Sequence, residues 1–288
     1  MLFFNEKTHI ISIEKTDKEY PAEWLDLPDA PQTLYAVGNI SLLKTKKFVA
    51  VGARRTPQTA LKLGEKLAQT LSQSFTLVTG TADGGDMAVI EGALKGSGKI
   101  ICLLAGGFSA VPQANLALLS KVAEKGLLLS PHSYETPVRS FSYEYRNKLL
   151  AKIGEGTLVL GAAQKSGALI TAKYALQFKK PVFAIPYSPN VAAGEGCNAL
   201  IKRGGYLTET AEDVLEKFGL KAQTEKRETL LNETEEKVYE ALKEQNEAHV
   251  NELASLTQIP VFKLRAVLSA LEIKGLVFSI GGNRYSVV

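Results

Sequence analysis

The sequence predicts a doubly wound α/β fold with a mostly parallel sheet, followed by a small winged-helix domain. Short and almost continuously apolar runs recur between residues 48 and 186, and apolar helical patterns separate them. This alternation is typical of a parallel sheet that is buried on both faces. The last part of the chain contains three helical patterns and a hairpin turned by glycines, which is typical of a winged helix-turn-helix.

The elements of the α/β part follow from these patterns in chain order. Residues 48–52 read Phe-Val-Ala-Val-Gly, a run with β-branched residues that predicts the first strand. Further strands are predicted at 75–79, 100–104, 126–129, 157–161 and 182–186, with helices at 60–71, 88–94, 116–122 and 169–178. Because ligands of such sheets bind at the carboxyl ends of the strands, we expect the functional site there.

A change of composition near Gly219 divides the chain, since residues 221–232 are polar and charged without an apolar period. We predict a lead-in of low regularity at 1–45, an α/β domain at 46–218, a linker at 219–231 and a winged-helix domain at 232–288. Within the last domain, helices are predicted at 235–242, 250–256 and 261–273, and strands at 276–280 and 284–288. Trp24 and Tyr35 are expected to anchor the packing of the lead-in.

The composition excludes several classes of protein. Two cysteines and three widely separated histidines provide neither a disulfide framework nor the ligand spacing of a metal site. The first ten residues lack the basic start and apolar run of a secretory signal. The uncharged stretch 100–120 contains glycine, proline and asparagine, so it does not predict a membrane span. We therefore expect a cytoplasmic protein without membrane insertion, whose net charge of +4 suits a phosphate-bearing partner.

The first candidate site is Gly52-Ala-Arg54-Arg55, at the end of the first predicted strand. A glycine lets the backbone approach a ligand, and the amides of the following helix start attract anions. Arginines add forked donors that suit phosphate. Neither G-x-G-x-x-G nor a P-loop motif is present. The alternative is that both arginines form salt bridges at a helix start; we favour phosphate binding for one and packing or pairing for the other.

Glycine-rich loops also follow the next two predicted strands. Residues 79–86 include Gly80 and two further glycines, and Gly106-Gly107 follow the third strand. Three successive strands that end in glycine loops indicate one long groove rather than one pocket. Asp86 is expected to cap the helix that follows it.

A basic and aromatic segment spans residues 138–150. It interleaves three cations with three aromatic rings: Arg139, Arg146, Lys148, Phe141, Tyr143 and Tyr145. Arginines that bind phosphates and rings that stack on bases grip single-stranded nucleic acid without sequence preference. The alternative is a helix start whose aromatic rings pack inward, which we expect for one or two of them. Phe141 and Tyr143, placed before the helix, are the better stacking candidates.

A further anion site is predicted at Ser166-Gly167, at a helix N-terminus. Thr171, one turn further on, is expected to be internal. A last glycine loop and helix contain Cys197 and Lys202, and we interpret Cys197 as a small buried thiol rather than a nucleophile. No carboxylate pair or Ser-His-Asp order stands out. The pattern therefore favours binding over catalysis.

These motifs resemble those of the DNA-processing protein A family, DprA or Smf, of bacterial natural transformation. The most specific match is Ser-Gly-Ala-Leu-Ile-Thr-Ala at 166–172, which is similar to a family signature. The other similar segments are 31–38, 52–55, 146–148 and 196–201, and the resemblance covers residues 21 to 218. Gly85 departs from the family pattern, which has isoleucine there.

The resemblance implies an extended Rossmann-like domain that binds single-stranded DNA in a basic groove. It also implies a homodimer through that domain, protection of incoming DNA and loading of the RecA recombinase, with no cofactor and no chemical step. Carried over by motif, Arg55 and the Gly52 amide hold phosphate. The groove is expected to include Arg54, Gly80, Gly106, Gly107, Arg139, Phe141, Tyr143, Arg146, Asn147, Lys148, Ser166, Gly167 and Lys202.

Two other functions remain as alternatives. One is a Rossmann-like phosphoribohydrolase, but the Pro-Gly-Gly-x-Gly-Thr-x-x-Glu motif of that group is absent from the sequence. The other is a sequence-specific winged-helix repressor. Its third helix offers Lys263 and Arg265 but begins with Val261 and Phe262, whereas a recognition helix presents polar groups at its start. We therefore interpret the winged helix as an interaction or weak duplex-binding module.

Overall fold

The computed structural model describes residues 9–221 and 231–287, which form two compact units. The strands of the first unit are β1 (Ile11–Glu14), β2 (Thr33–Gly38), β3 (Lys47–Val51), β4 (Thr76–Thr79), β5 (Ile100–Leu103), β6 (Leu127–Ser130), β7 (Thr157–Val159), β8 (Val182–Ala184) and β9 (Tyr206–Leu207). Its helices are α1 (Gln58–Ser74), α2 (Gly85–Lys95), α3 (Leu116–Lys125), α4 (Ser140–Ile153), α5 (Gly167–Gln177), α6 (Glu195–Lys202) and α7 (Ala211–Lys217).

The nine strands form one sheet in the order β1-β2-β6-β5-β4-β3-β7-β8-β9. The pairs β1/β2 and β2/β6 are antiparallel, and all other neighbours are parallel. The prediction of a doubly wound, mostly parallel sheet is therefore confirmed. From β3 the chain adds β4, β5 and β6 on one side and later β7, β8 and β9 on the other, so a topological switch point lies between β3 and β7.

The sheet is buried on both faces, as continuously apolar strands require. Within β3, Val49 and Val51 pack into one apolar layer, whereas Phe48 and Ala50 pack into the other. Even Lys47 is buried, because its ammonium donates to the carbonyls of Leu43 and Thr45. The core thus fixes the carboxyl end of β3, where the first candidate motif begins.

The lead-in is more regular than expected, because its described part contains β1 and β2. Strand β2 pairs with β6 and extends the sheet of the α/β domain. Trp24 is fully buried, and its indole Nε1 donates to the carbonyl oxygen of Leu149 at 3.0 Å. Tyr35 is half-buried against the other apolar layer. Residues 1–8 of the lead-in lie outside the described residues.

Helix α4 begins earlier than the sequence suggested. Its first residue is Ser140, and the Arg139 amide donates to the Ser142 hydroxyl at 3.1 Å. Phe141 and Tyr143 therefore belong to the start of the helix, and the expectation that they precede it is wrong. The start of this helix is marked by the Ser142 hydroxyl, three residues after the N-cap residue Arg139, and not by apolar periodicity.

The second unit has a short three-stranded sheet and three helices. In chain order its described elements are helix α8 (Glu233–Gln245), strand β10 (Glu247–His249), helices α9 (Val250–Thr257) and α10 (Val261–Ile273), and strands β11 (Val277–Gly281) and β12 (Arg284–Val287). The sheet order is β10-β12-β11. Strand β10 was not predicted, because three residues without apolar alternation carry no strand signal. Residues 222–230 of the predicted linker and Val288 of the predicted hairpin lie outside the described residues.

The uncharged stretch 100–120 forms β5, two short 3-10 turns and the first part of α3. In the part of the chain that the structure describes, no helix is both long and apolar enough to cross a membrane.

Candidate functional site

Two adjacent cavities open at the carboxyl ends of the central strands. The Arg146 cavity, of about 240 Å³, is lined by residues 51–54, Ala82, Asp86, Tyr143, Arg146, Asn147, 166–168 and Thr171. The Asn115 cavity, of about 280 Å³, is lined by Arg54, 81–83, 104–107, 110–112, Asn115, Val138 and Tyr143. They share Arg54, Ala82 and Tyr143. Where the sequence predicted one long groove, the structure shows two cavities that border each other at these three residues.

The Arg146 cavity lies at the switch point of the sheet. One wall is the loop after β3, and the opposite wall is the start of α5, which follows β7. The Ser166 hydroxyl caps α5 by accepting from the Ala168 amide at 3.3 Å. The Asn147 side chain donates to the Gly167 carbonyl at 3.2 Å and ties α4 to this start. A helix N-terminus that faces a cavity at the switch point favours an anionic ligand.

Arg146 is buried at this cavity with only 5% of its surface exposed. Its Nη1 lies 3.7 Å from Oδ2 of Asp86, too far for a hydrogen bond. Its Nε and Nη1 donate to no acceptor among the described residues, and the buried Thr171 hydroxyl also lacks a partner there. Buried donors without acceptors are costly unless a ligand satisfies them. Arg146 therefore brings a positive charge to the wall of the cavity, while its Nε and Nη1 are themselves shielded from solvent.

Asp86 is buried below Arg146 and joins two loops. Its Oδ1 accepts from the Gly52 amide at 3.2 Å, and its Oδ2 accepts from the Ala82 amide at 3.1 Å. Burial raises the pKa of Asp86, while Arg146 and the two amides oppose this rise. Burial also lowers the pKa of Arg146, which Asp86 opposes. The expectation that Asp86 caps α2 is wrong, because its carboxylate bonds to the loops instead.

Two of the predicted glycines serve this buried arrangement rather than a ligand. A Cβ at Gly80 would overlap the Arg146 guanidinium, so the missing side chain leaves room for that group. Gly52 lies against the backbone of Gly85, and a Cβ on either would overlap the other. The Gly52 amide, which the sequence assigned to phosphate, donates to Asp86 in this structure.

Arg54 and Arg55 differ in position although both are exposed. Arg54 lines both cavities, and its guanidinium carbon lies 5.7 Å from the centroid of the Tyr143 ring. This is within the distance of a cation–π contact. Arg55 lines neither cavity. The structure therefore favours Arg54 as the arginine that meets a ligand.

The remaining cations of the prediction do not line the cavities. Lys148 follows Arg146 by two residues, so it points to another side of α4, where its ammonium pairs with Asp29 at 2.5 Å. Arg139 and Lys202 are exposed outside both linings, and so is Phe141, with 62% of its surface exposed. The structure thus brings together Gly52, Arg54, Tyr143, Arg146, Asn147, Ser166 and Gly167 from the predicted set.

The glycines of the third loop build a wall of the Asn115 cavity. A Cβ at Gly107 would overlap the carbonyls of Ser133 and Tyr134, and one at Gly106 would crowd Val138. The loop therefore packs closely against residues 133–138.

Sequence reasoning missed Asn115, whose side-chain amide donates weakly to the Thr81 carbonyl at 3.4 Å. The one indication of Asn115 in the sequence was that it is a polar residue within the uncharged stretch 100–120. The interpretation of Cys197 as a buried thiol is confirmed, and burial raises its pKa to about 12.

Comparisons with known proteins find relatives for both units of the chain. The family model "DNA recombination-mediator protein A" matches residues 11–219, and "Sugar-specific transcriptional regulator TrmB" matches residues 229–288. The chain is 34% identical over 203 residues to DNA processing protein DprA of Streptococcus pneumoniae, covering 70% of this chain and 72% of that one.

Two solved structures are also similar. The X-ray structure of DprA from S. pneumoniae has a TM-score of 0.69 at 33% identity, covering 72% of this chain and 74% of that one. DNA processing protein A from Helicobacter pylori has a TM-score of 0.66 at 26% identity, covering 75% and 99%. The description of that structure concerns its single-stranded DNA binding mode. Both matches support the Rossmann-like fold of the first unit.

Proposed function

Because the chain belongs to the DNA recombination-mediator protein A (DprA/Smf) family, we propose that it binds single-stranded DNA through the two cavities without a chemical step. The observation that carries this proposal is Arg146, a buried cation that lines the same cavity as the N-terminus of α5. A buried positive charge beside a helix N-terminus favours an anionic phosphodiester. The description of the H. pylori relative supports the same ligand.

The shape of the site favours a single strand over a duplex. Cavities of about 240 and 280 Å³ admit a phosphate or one base but not a double helix. Tyr143 and Phe141, both exposed on the first turn of α4, provide rings on which unpaired bases stack. The cavity linings contain no histidine, lysine or cysteine, and their carboxylates are Asp83 and the paired Asp86. This arrangement suits binding and provides no acid–base pair.

We further propose a homodimer that forms through the β9 edge of the sheet. Tyr206 and Leu207 make up this short edge strand, and they are 40% and 46% exposed. An edge strand with exposed apolar side chains offers both backbone groups and apolar area to a second copy. Protection of incoming DNA and loading of RecA during natural transformation complete the proposed role, and they follow from the family resemblance.

The arginine pair gives the first test. We expect Arg54→Ala to weaken the binding of a labelled oligo-dT by about 10- to 100-fold, because it removes a charge-assisted contact of about 1.5–3 kcal/mol. The slope of log affinity against log salt should fall by about 0.7, which corresponds to one phosphate contact. Fluorescence anisotropy across a salt series measures both.

Arg55→Ala is the matched control, since it removes the same charge one residue away, outside both cavities. We expect Arg55→Ala to change the binding free energy by less than about 1 kcal/mol, because an exposed cation contributes little. Equal losses for the two variants would show that overall charge, rather than the cavities, sets the affinity. Wild-type protein that binds duplex as tightly as single strand would contradict the proposed function.

Removal of residues 222–288 is expected to leave single-strand affinity within about threefold, that is, within about 0.7 kcal/mol. The first unit contains both cavities and is compact by itself. The described part of the second unit carries six Lys and Arg against eight Asp and Glu, so its net charge of −2 does not attract phosphates. Anisotropy of the truncated protein tests this, after thermal melting has shown that it still unfolds cooperatively. A large loss would assign the main site to the winged helix.

A further inference from the structure

We propose that helix α10 of the second unit pairs, in antiparallel orientation, with α10 of a second copy of this chain. The contact is a stripe of four exposed residues along the helix, the α10 stripe: Phe262, Ala266, Ser269 and Ile273. This inference concerns the second unit alone, so it depends neither on single-strand binding nor on the β9 edge. It identifies the partner of the winged helix, which the sequence indicated to be an interaction module.

The α10 stripe is the solvent-facing side of a helix whose opposite side forms the core of its unit. That opposite side carries three fully buried leucines: Leu264, Leu268 and Leu271. On the stripe, Phe262 is 73% exposed and Ile273 is 88% exposed, and the two small residues between them are exposed as well. Large apolar side chains that share one exposed helix face mark an interaction surface.

The spacing of the α10 stripe is that of a helix-pairing seam. Its members are separated by four, three and four residues, as are the a and d positions of a heptad. At 3.6 residues per turn, all four side chains lie within about 60° of one another around the helix axis. A helix that reads DNA presents polar groups at its start, whereas α10 presents Phe262 there. The stripe therefore suits another helix better than a DNA groove.

The order of side chains along the stripe fits a second copy of the same helix. Antiparallel pairing about a twofold axis at the middle of the stripe places Phe262 opposite Ile273 of the second copy and Ala266 opposite its Ser269. Large side chains thus meet at the two ends, and small side chains meet at the centre. Small residues at the centre let the two backbones approach closely. The stripe is therefore self-complementary.

Charges beside the stripe select the same orientation. Arg265 and Glu272 flank the stripe on one side, and antiparallel pairing brings Arg265 of each copy within about 3 Å, along the axis, of Glu272 of the other. Arg265 is exposed and forms no ion pair within the described part of the chain. The Oε1 of Glu272 accepts from the Ser279 amide at 2.9 Å, which leaves Oε2 for a partner. Parallel pairing would set Arg265 opposite Ala270, where no carboxylate meets it.

The helix pair is a small interface. Helix α10 has 13 residues and is about 20 Å long, so the contact belongs with weak and transient interfaces. A covalent trap is therefore the suitable measurement. The two native cysteines do not interfere with it, because both are buried.

The test mixes two full-length variants, Phe262→Cys and Ile273→Cys, in the presence of oxidised glutathione. A disulfide between the two variants should form at least about tenfold faster than one between two molecules of the same variant. In the antiparallel pair, equal positions at either end are offset by 11 residues, about 16 Å along the axis, whereas a disulfide needs Cα atoms within about 7 Å. The second Phe262–Ile273 contact of the mixed pair stays native. Non-reducing electrophoresis with a tag on one variant identifies the products.

Charge variants test the orientation. Arg265→Glu in both cysteine proteins should slow the mixed disulfide several-fold, because it places two carboxylates side by side. Adding Glu272→Arg should restore the rate, since the pair is then reversed. Lys263→Glu is the matched control: it reverses an exposed cation two residues away, which lies opposite Ala270 of the second copy, and the rate should stay within about twofold. Circular dichroism checks that each variant is folded.

The outcomes are distinct from those of the other proposals. A mixed disulfide that forms no faster than the two unmixed ones would overturn the antiparallel pair. Equal effects of Arg265→Glu and Lys263→Glu would overturn it as well, because the charges would then act without a defined partner. A dimer through the β9 edge raises all three rates alike, so it does not imitate the expected preference.

Discussion

Asp86→Ala is expected to lower the free energy of unfolding by about 3–5 kcal/mol, since it leaves the buried Arg146 charge without its partner. It also leaves the amides of Gly52 and Ala82 without their acceptor. The loops after β3 and β4 then lose the group that joins them, so single-strand affinity should fall as well. Urea unfolding followed by circular dichroism measures the change.

Two variants separate this effect from a general loss of charge. Glu65→Ala breaks the pair that Glu65 forms with the largely exposed Lys95, and we expect a cost below about 1 kcal/mol. Asp86→Ala combined with Arg146→Met removes both charges and should recover part of the loss, because no unpaired buried charge remains. If Arg146→Met lowers the free energy of unfolding by the same amount in the Asp86→Ala protein as in the wild type, the two side chains are not coupled.

Trp24→Ala is expected to lower the free energy of unfolding by a similar amount, about 3–5 kcal/mol. The indole is fully buried among residues that include the second half of α4, and its Nε1 donates to Leu149. The variant therefore loses both buried area and a contact that links the first 45 residues to the helix that carries Arg146. Circular dichroism is the suitable probe, since Trp24 is the single tryptophan of the chain.

Neighbouring and conservative changes provide the controls for Trp24. Leu25→Ala alters the next residue, which is 49% exposed, and should cost no more than about 0.5 kcal/mol. Trp24→Phe keeps a ring but removes the donor, so its cost should lie between those of the two alanine variants. A Trp24→Ala protein as stable as Leu25→Ala would mean that the first 45 residues contribute little to the stability of the α/β fold.

The parallel strands were predictable because each is apolar at nearly every position, as in β3 and β5. Strand β2 was missed because Thr-Leu-Tyr-Ala-Val-Gly mixes polar and small residues. It pairs with β6, which lies far ahead in the sequence and provides no local signal. The start of α4 was displaced for a related reason, since a serine rather than an apolar period marks it.

The candidate site was predictable in its residue types but not in its geometry. Arg146 and Ser166 were named, and both line a cavity at the switch point. Lys148 was named with them, although two residues along a helix reverse the direction of a side chain. The role of Gly80 depends on a guanidinium from a helix some sixty residues later, so only the folded chain reveals it. Arg54 and Arg55 likewise became distinguishable only through their positions relative to Tyr143.

The bond between Trp24 and Leu149 has a consequence for synthesis on the ribosome. The two residues are 125 positions apart, and at about 5–20 residues per second a ribosome needs roughly 6–25 s to translate the intervening chain. The first apolar side chains therefore leave the exit tunnel long before their packing surface exists. Strand β2 pairs with β1 and with β6, and β6 is translated much later. We therefore expect the first strands to complete their packing only after β6 has left the ribosome. The nascent chain thus exposes Trp24 to chaperones and proteases for roughly 6–25 s of its synthesis.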